Sequence, residues 1–423
     1  MKRVMIVAVL ACFAFLLFGS KTLLAGEMDI LLSKLVEKGV LTPGEAQQIK
    51  TETQEQVKKE IAQGKYSNLP QWLQTMKLKG DFRLRYQNDH SKSSSINQSR
   101  GRIRLRLGLE SKVNEKLIVG VGLATGKTGD PRSTNQTFTD SFDKKPFILD
   151  YAYAQYSPVR WAALTGGKMK NPLWEPGDLI WDTDITPEGG ALQLNKKIGS
   201  NTEAFLNAGV FVIDEQSSSD HDPVLYAIQP GIKYMLSDSV GIKGAVSYYN
   251  FSNIKGNALE YGSGTNSKMP GSTTLYRYDY FNVNPAVEVG IKEPFKALGV
   301  NVPYLALFGE YVNNINSAVK KDNTGYMLGF KFGVEKVEKF GDWQFKYNYA
   351  LLGRDAVPDI LPDSDRYSGK TGMKAHEGVL DFGLGKNTWL GLDYYYGEQL
   401  KGNFGQSQSR PASVVQVDWN MKF

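Results

Sequence analysis

The chain has 423 residues, rich in strand and turn formers (43 glycines, 22 tyrosines, 20 phenylalanines), and a formal charge of +6. A mean hydropathy of −0.35 and the lack of any apolar run near 18 residues past the N-terminus exclude helical membrane spans. Residues 1–25 carry Lys2, Arg3 and Lys21 and no acid, so without them the charge falls to +3, too weak to argue for nucleic acid.

The first segment has the layout of a secretory signal peptide. Lys2 and Arg3 precede an apolar run from Val4 to Phe18, followed by small and polar residues from Ser20 to Gly26. Cleavage is expected near Ala25, which makes residues 1–25 the leader. Cys12 could suggest a lipoprotein, but apolar residues continue well past it. It is the only cysteine, so the exported chain would have no thiol to mispair in an oxidising compartment. Residues 26–68 read as a periplasmic helical prefix, with helix from about Met28 to Gln63. Leu31, Leu32, Leu35 and Val36 form a stripe at helical spacing, and Gly39 is a stop. Thr42-Pro43-Gly44-Glu45 forms a capping box with proline at the first helical position. The second helix carries Ala46, Ile49, Val57 and Ile61, diluted by Thr51, Thr53 and Gln56. Two readings stay open: a spacer near a barrel mouth, or a self-associating or cell-wall-contacting element.

From Met76 the periodicity changes to strands. They are expected at 76–88, 99–112, 116–125, 147–157, 160–168, 188–197, 202–213, 223–236, 239–251, 274–292, 301–313, 324–335, 341–353, 374–385, 388–398 and 412–423. Their connections alternate. Short ones fall near Asn114, Pro158, Gly199, Asp238, Phe295, Glu338 and Asn387, and longer ones lie between. A sixteen-stranded antiparallel transmembrane β-barrel over residues 69–423 has that alternation, with short inner turns and long outer loops. A soluble sandwich has no reason to keep it. The last strand is the clearest: Val415, Val417, Trp419, Met421 and Phe423 share one face, and Gln416, Asp418, Asn420 and Lys422 the other. That strand resembles the closing strand of bacterial outer-membrane barrels, with lipid on its apolar face and a watery lumen on the other.

Longer motifs carry a family resemblance. They are Leu69-Pro70-Gln71-Trp72-Leu73 running into Lys77-Leu78-Lys79-Gly80-Asp81-Phe82-Arg83-Leu84-Arg85-Tyr86, then Gly167-Lys168-Met169-Lys170-Asn171-Pro172 with Asp178-Leu179-Ile180-Trp181-Asp182-Thr183-Asp184, and Leu361-Pro362-Asp363-Ser364-Asp365-Arg366. Together they resemble the putative-porin family of proteobacteria over nearly all of the chain beyond the leader. The resemblance implies a homotrimeric outer-membrane channel, which nothing in the spacing derives.

Arginine placement is the sharpest functional feature. Lys77, Lys79, Asp81, Arg83 and Arg85 share a face opposite Leu78, Phe82, Leu84 and Tyr86. On the next strand Arg102, Arg104 and Arg106 oppose Ile103, Leu105 and Leu107. One arginine facing lipid at mid-bilayer costs about 2–4 kcal/mol, so five would cost on the order of 10–20 kcal/mol. The arginines are therefore expected inside. There they form either a basic wall that attracts carboxylates and phosphates or a set of internal ion pairs. The third long loop, 169–187, holds Trp174, Leu179, Ile180 and Trp181 with Glu175, Asp178, Asp182 and Asp184. Trimeric porins fold this loop into the lumen, so the resemblance implies that Asp178, Asp182 and Asp184 face the arginines. The alternative is an outer loop packed on its neighbours. Tyr151 and Tyr153, Tyr248 and Phe251, Tyr276 to Phe281, Tyr394 to Tyr396, Trp419 and Phe423 are expected in interfacial girdles.

Enzyme signals are weak. His90 and His221 fall in expected loops and His376 at a strand start, without serine or metal-ligand spacing. Gly126-Lys127-Thr128 and Gly369-Lys370-Thr371 have Val121 and Ser364 where a phosphate loop needs glycine. The reading is a non-enzymatic outer-membrane porin without cofactor or metal. It would sit in lipid and pass small hydrophilic solutes passively, with an anion bias. A selective oligosaccharide or phosphate conduit, or a barrel-anchored tether acting through the helices, is the alternative.

Overall fold

A computed structural model describes residues 27–62, 71–91, 97–217, 220–400 and 411–423, in two units that divide after Pro70. The leader and the prefix–barrel boundary expected at residue 68 lie outside the described residues.

The N-terminal unit contains α1 (Glu27–Glu37) and α2 (Pro43–Ala62). Gly39 ends α1 with a φ of 69°, a left-handed conformation that costs glycine little. The N–H groups of Gly39 and Val40 then donate back to the carbonyls of Val36 and Leu35, each at 3.0 Å. The capping box restarts the helix. Thr42 N–H donates to the Glu45 carboxylate at 2.8 Å, and Glu45 N–H donates to Thr42 Oγ1 at 3.3 Å.

The second unit begins with the one-turn helix α3 (Gln71–Gln74). Sixteen strands follow: β1 (Lys77–Ser91), β2 (Gln98–Lys112), β3 (Leu117–Thr125), β4 (Phe147–Val159), β5 (Ala162–Lys168), β6 (Glu188–Ile198), β7 (Thr202–Val212), β8 (Val224–Met235), β9 (Val240–Ser252), β10 (Tyr280–Lys292), β11 (Tyr304–Asn314), β12 (Thr324–Gly333), β13 (Trp343–Leu352), β14 (Met373–Gly385), β15 (Thr388–Gln399) and β16 (Ala412–Lys422). Chain neighbours pair antiparallel, and β16 returns to pair with β1, with Arg85 opposite Asp418 and Asp81 opposite Lys422. Gly80 and Phe423 exchange backbone hydrogen bonds at 2.8 and 3.0 Å, so the final residue seals the seam. The sheet has no free edge. The two-residue segment Gln136–Thr137 also pairs with Arg102 and Ile103 of β2, filling the ladder above the short β3.

Alternation sorts the side chains as expected. Leu78, Leu84 and Tyr86 of β1 and Val417 of β16 are exposed on the outside, whereas Arg85, Gln87, Gln416 and Asp418 are buried inside. Tyr226, Tyr234, Tyr248, Tyr394 and Tyr396 are exposed outward, as girdle residues should be. Others expected there are not. Tyr151 and Tyr153 turn inward over Gly108, Gly120 and Gly122, where a methyl on Gly120 would meet the Tyr153 ring at 2.5 Å. Phe251, Tyr276 and Tyr280 are buried as well. The strand expected from 274 begins only at Tyr280, because local bonds claim the segment before it. Asp279 accepts the N–H groups of Ile254 and Lys255 at 2.8 and 2.9 Å, and the Tyr276 hydroxyl donates to Asp359. The turns at 293–303 and 334–342 are longer than the pattern predicts; the first holds a 3₁₀ turn, Lys296–Leu298. His90 lies within β1, which runs to Ser91.

The apolar core is inside the barrel. Leu179, Ile180 and Trp181 of loop 169–187 and Val357 and Leu361 of loop 353–372 are buried against Tyr249, Phe251, Phe308, Met327 and Leu352 of the wall. Both loops therefore fold inward. An apolar loop in contact with an apolar stretch of wall removes both from water, which is why the lumen here is not uniformly polar.

Candidate functional site

The arginine ladder lies on the inner face of β1 and β2. Register sets Arg83 opposite Arg104 and Arg85 opposite Arg102, an arrangement of like charges that needs acids to hold it. The wall and the inward loops supply them. Asp418 takes Arg85 in a bidentate pair, with both contacts at 2.7 Å, and lies 3.5 Å from Arg83. Asp365 of loop 353–372 reaches Arg85 at 3.1 Å. Asp81 bridges Arg104 and Arg106 at 2.9 and 2.8 Å, and Asp184 of loop 169–187 meets Arg106 at 3.1 Å. Above them Arg100 pairs with Asp89 at 2.7 Å. Arg102 donates to Gln87 at 2.9 Å, and Arg83 donates to Asn135 of loop 126–146 at 2.7 Å. The ladder is thus an array of guanidinium–carboxylate pairs rather than a bare basic wall.

Of the eight residues expected to line the lumen, Arg83, Arg85, Arg102, Arg104, Arg106 and Asp184 come together here. The other two acids serve the loops. Asp178 pairs with Arg366 at 2.5 Å. Arg366 also meets Glu377 of β14 at 2.6 Å, and Glu377 holds Lys346 of β13 at 2.7 Å. Asp182 accepts the N–H groups of Asp184 and Ser364 at 2.9 and 2.8 Å, while its own N–H donates to the Leu361 carbonyl at 2.8 Å. That stitches loop 169–187 to loop 353–372. Burial, reinforced by the nearby Asp184 charge, pushes the Asp182 carboxyl up to about 7. Burial pushes the Glu175 and Asp363 carboxyls well above the usual carboxylate range as well.

The residues that sequence reasoning missed are mostly partners. Asp418 was readable as an inward position of the last strand, and barrel closure alone brings β16 beside β1. Asp365 and Arg366 stood in the motif 361–366 without any sign that they face the lumen, and Glu377 carried no local signal. Arg132 is another such residue: it donates to the Pro362 and Gly369 carbonyls at 2.8 and 3.0 Å and to the Tyr261 hydroxyl at 2.9 Å, tying three outer loops together. Beneath the ladder is a cavity of about 700 Å³ lined by Lys79, Asp81, Arg106, Tyr151, Asp184 and Lys422 among others.

The family described as "Putative porin" matches residues 40–99, 91–284 and 304–423. The chain belongs to that family. This porin also resembles solved barrels. The high-pH structure of Pseudomonas putida OprB superposes with a TM-score of 0.54 at 12% identity, covering 82% of this chain and 94% of that one. In-vitro folded OmpT of Vibrio cholerae, in its trimer form, gives 0.44 at 9% identity over 82% and 99%. A triple mutant of Rhodopseudomonas blastica porin gives 0.42 at 10% over 82% and 100%. At these identities the first likeness establishes the barrel fold alone, and the other two add nothing to it. A search among curated proteins returned no match. Family and fold together support an outer-membrane porin channel and point to a channel rather than an enzyme.

Proposed function

We propose that this porin passes small hydrophilic solutes passively, with an anion bias, past a passage bounded by the arginine ladder and loop 169–187. The supporting observation is the Arg106–Asp184 contact at 3.1 Å, which holds loop 169–187 against the ladder and so narrows the lumen beside a row of mixed charges. A passage lined by charged pairs favours polar solutes over apolar ones. Carboxylates neutralise much of the ladder, so the bias should be modest. A planar-bilayer recording tests the reading: stable ohmic steps with a chloride-favouring reversal potential support it, and a folded barrel that carries no current sinks it.

For the selective oligosaccharide or phosphate conduit, one observation favours its phosphate form as a second reading. Among the described residues, the Nε groups of Arg83, Arg100 and Arg102 are buried without a hydrogen-bond acceptor, and guanidinium edges in that state suit phosphate or carboxylate oxygens. Saturable block of the current by phosphate, absent with neutral sugars, would separate a conduit from a general pore. We also propose a homotrimer, with α1 and α2 in the periplasm as a spacer or a cell-wall contact. Mass measurement of the detergent-solubilised protein before and after heating tests the first, and peptidoglycan pull-down the second. A tether acting through α1 and α2 would retain its binding in a barrel that carries no current.

A further inference from the structure

The ladder is compensated by contact ion pairs, whereas the lysines below it make none. Lys79 of β1 and Lys422 of β16 are inward positions, since they alternate with outward Leu78 and with Met421. They flank the sealed seam: Lys422 stands opposite Asp81, two residues from Lys79. Lys170, at the start of the inward loop, lines the same cavity of about 700 Å³. Among the described residues, none of these three ammonium groups has a carboxylate within 4.0 Å. Two lie over rings instead, Lys422 at 5.0 Å from Trp389 and Lys170 at 5.6 Å from Tyr151. A cation over a ring face is positioned without being neutralised.

The acids of the cavity are mostly committed elsewhere. Asp81 holds Arg104 and Arg106, and Asp184 holds Arg106 and the Thr134 hydroxyl. Asp182 accepts backbone N–H groups on the loop side. Burial keeps Glu175 toward its neutral form. That leaves Asp150 in the cavity, near Lys170, and Asp381 near Lys422 against three ammonium groups. The excess is positive, and Tyr151, Asn171 and Thr186 stand in the same wall as hydrogen-bonding groups.

We propose that Lys79, Lys170 and Lys422 form a binding subsite for small oxyanions, carboxylates or phosphates, on the inner side of the ladder. The subsite rests on the porin reading and deepens it: it names the solute class and adds the lysines to the arginines as a source of the anion preference. An ammonium group at ~7 Å in water raises the local density of a monovalent anion roughly two- to threefold before screening. Three acting together on a divalent anion produce a saturable hold.

The test uses the full-length porin in planar bilayers at low salt, with inorganic phosphate, succinate and glucose as probes. Phosphate and succinate should reduce the current saturably in the wild type, and glucose at equal concentration should not. The triple variant Lys79→Gln, Lys170→Gln, Lys422→Gln should raise the half-blocking concentration about tenfold or more. Lys336→Gln, at an exposed turn where Lys336 pairs with Glu338 at 2.7 Å, should leave it unchanged. Heat-modifiable migration on gels checks that each variant is folded. If the triple variant misfolds, the single variant Lys422→Glu should still weaken the block. Unchanged block in folded variants, or equal block by glucose, overturns the subsite while the porin reading stands. A folded wild type that carries no current overturns both.

Discussion

Replacing Arg366 by methionine should free the inward loops without unfolding the barrel. Arg366 is 2% exposed and meets Asp178 of loop 169–187 at 2.5 Å and Glu377 of the wall at 2.6 Å. Removing one partner of a buried pair costs about 3–5 kcal/mol, because the remaining charge stays desolvated. Glu377 keeps Lys346 at 2.7 Å and Asn348 at 2.7 Å, so the lower end applies, and Asp178 bears most of the loss. About 3 kcal/mol changes the ratio of docked to undocked loop roughly a hundredfold. The wall ladder is untouched, so heat-modifiable migration should persist. Single-channel records should show new flickering between conductance levels. Trypsin should cleave after Lys370, in the same loop, faster than in the wild type. Arg366→Lys should rescue only in part, because an ammonium group lacks the planar fork that serves two carboxylates. Unaltered current noise and an unaltered cleavage rate in the methionine variant would refute the tether.

Deleting residues 27–64 while keeping the leader should leave a barrel that inserts and conducts, since the sheet begins at Lys77 and closes on β16; failure to assemble would make the prefix part of the fold. Changing Arg83, Arg104 and Arg106 to glutamine should shift the reversal potential toward cations, because Asp81 and Asp184 lose their partners. Salt should blunt that shift, with screening over about 8–10 Å near physiological strength, and no shift at low salt would remove the ladder from the ion path. The Asp182 carboxyl, held at about 7 against about 3.9 in an unfolded chain, gives a pH dependence. Its contribution to the loop seam is complete below the unfolded value and is lost as pH rises through the folded one. Loop cleavage by a protease should therefore quicken as pH rises from about 4 to about 7 and level off above that, and Asp182→Asn should flatten the rise; an identical pH profile in both proteins counts against the assignment.

Most of the barrel was legible because strand alternation is a local property. A one-residue slip would have sent Arg83 and Arg85 into lipid, so their parity with Leu84 and Tyr86 settled which way each strand faces. Strand ends followed where turn residues interrupt the pattern, and failed at Tyr276, where a loop hydroxyl finds Asp359 instead of a ladder partner. The girdle expectation failed for Tyr151 and Tyr153 because it used nearness to a strand end and ignored parity. Gly108, Gly120 and Gly122 were the available signal, since small residues on an inward face leave room for large ones beside them. Of the site, the arginines were readable and most of their partners were not. Asp365 and Arg85 are far apart in the chain, and only tertiary packing of loop 353–372 brings them to 3.1 Å.

That long separation also ties the charges of the ladder to barrel closure. Arg85 gains its bidentate partner only when the last strand meets the first, since Asp418 belongs to β16. Until then the arginine row on β1 and β2 has Asp81 as its nearest inward wall acid, shared by Arg104 and Arg106. An unclosed sheet would present clustered like charge along its leading edge, which opposes edge-to-edge pairing with a second copy that carries the same row. The correct partner is the one edge that carries an acid at the matching position. The arrangement that keeps arginine out of lipid thus also selects the proper seam, and the contact ion pairs that it makes at the ladder stand above lysines that make none.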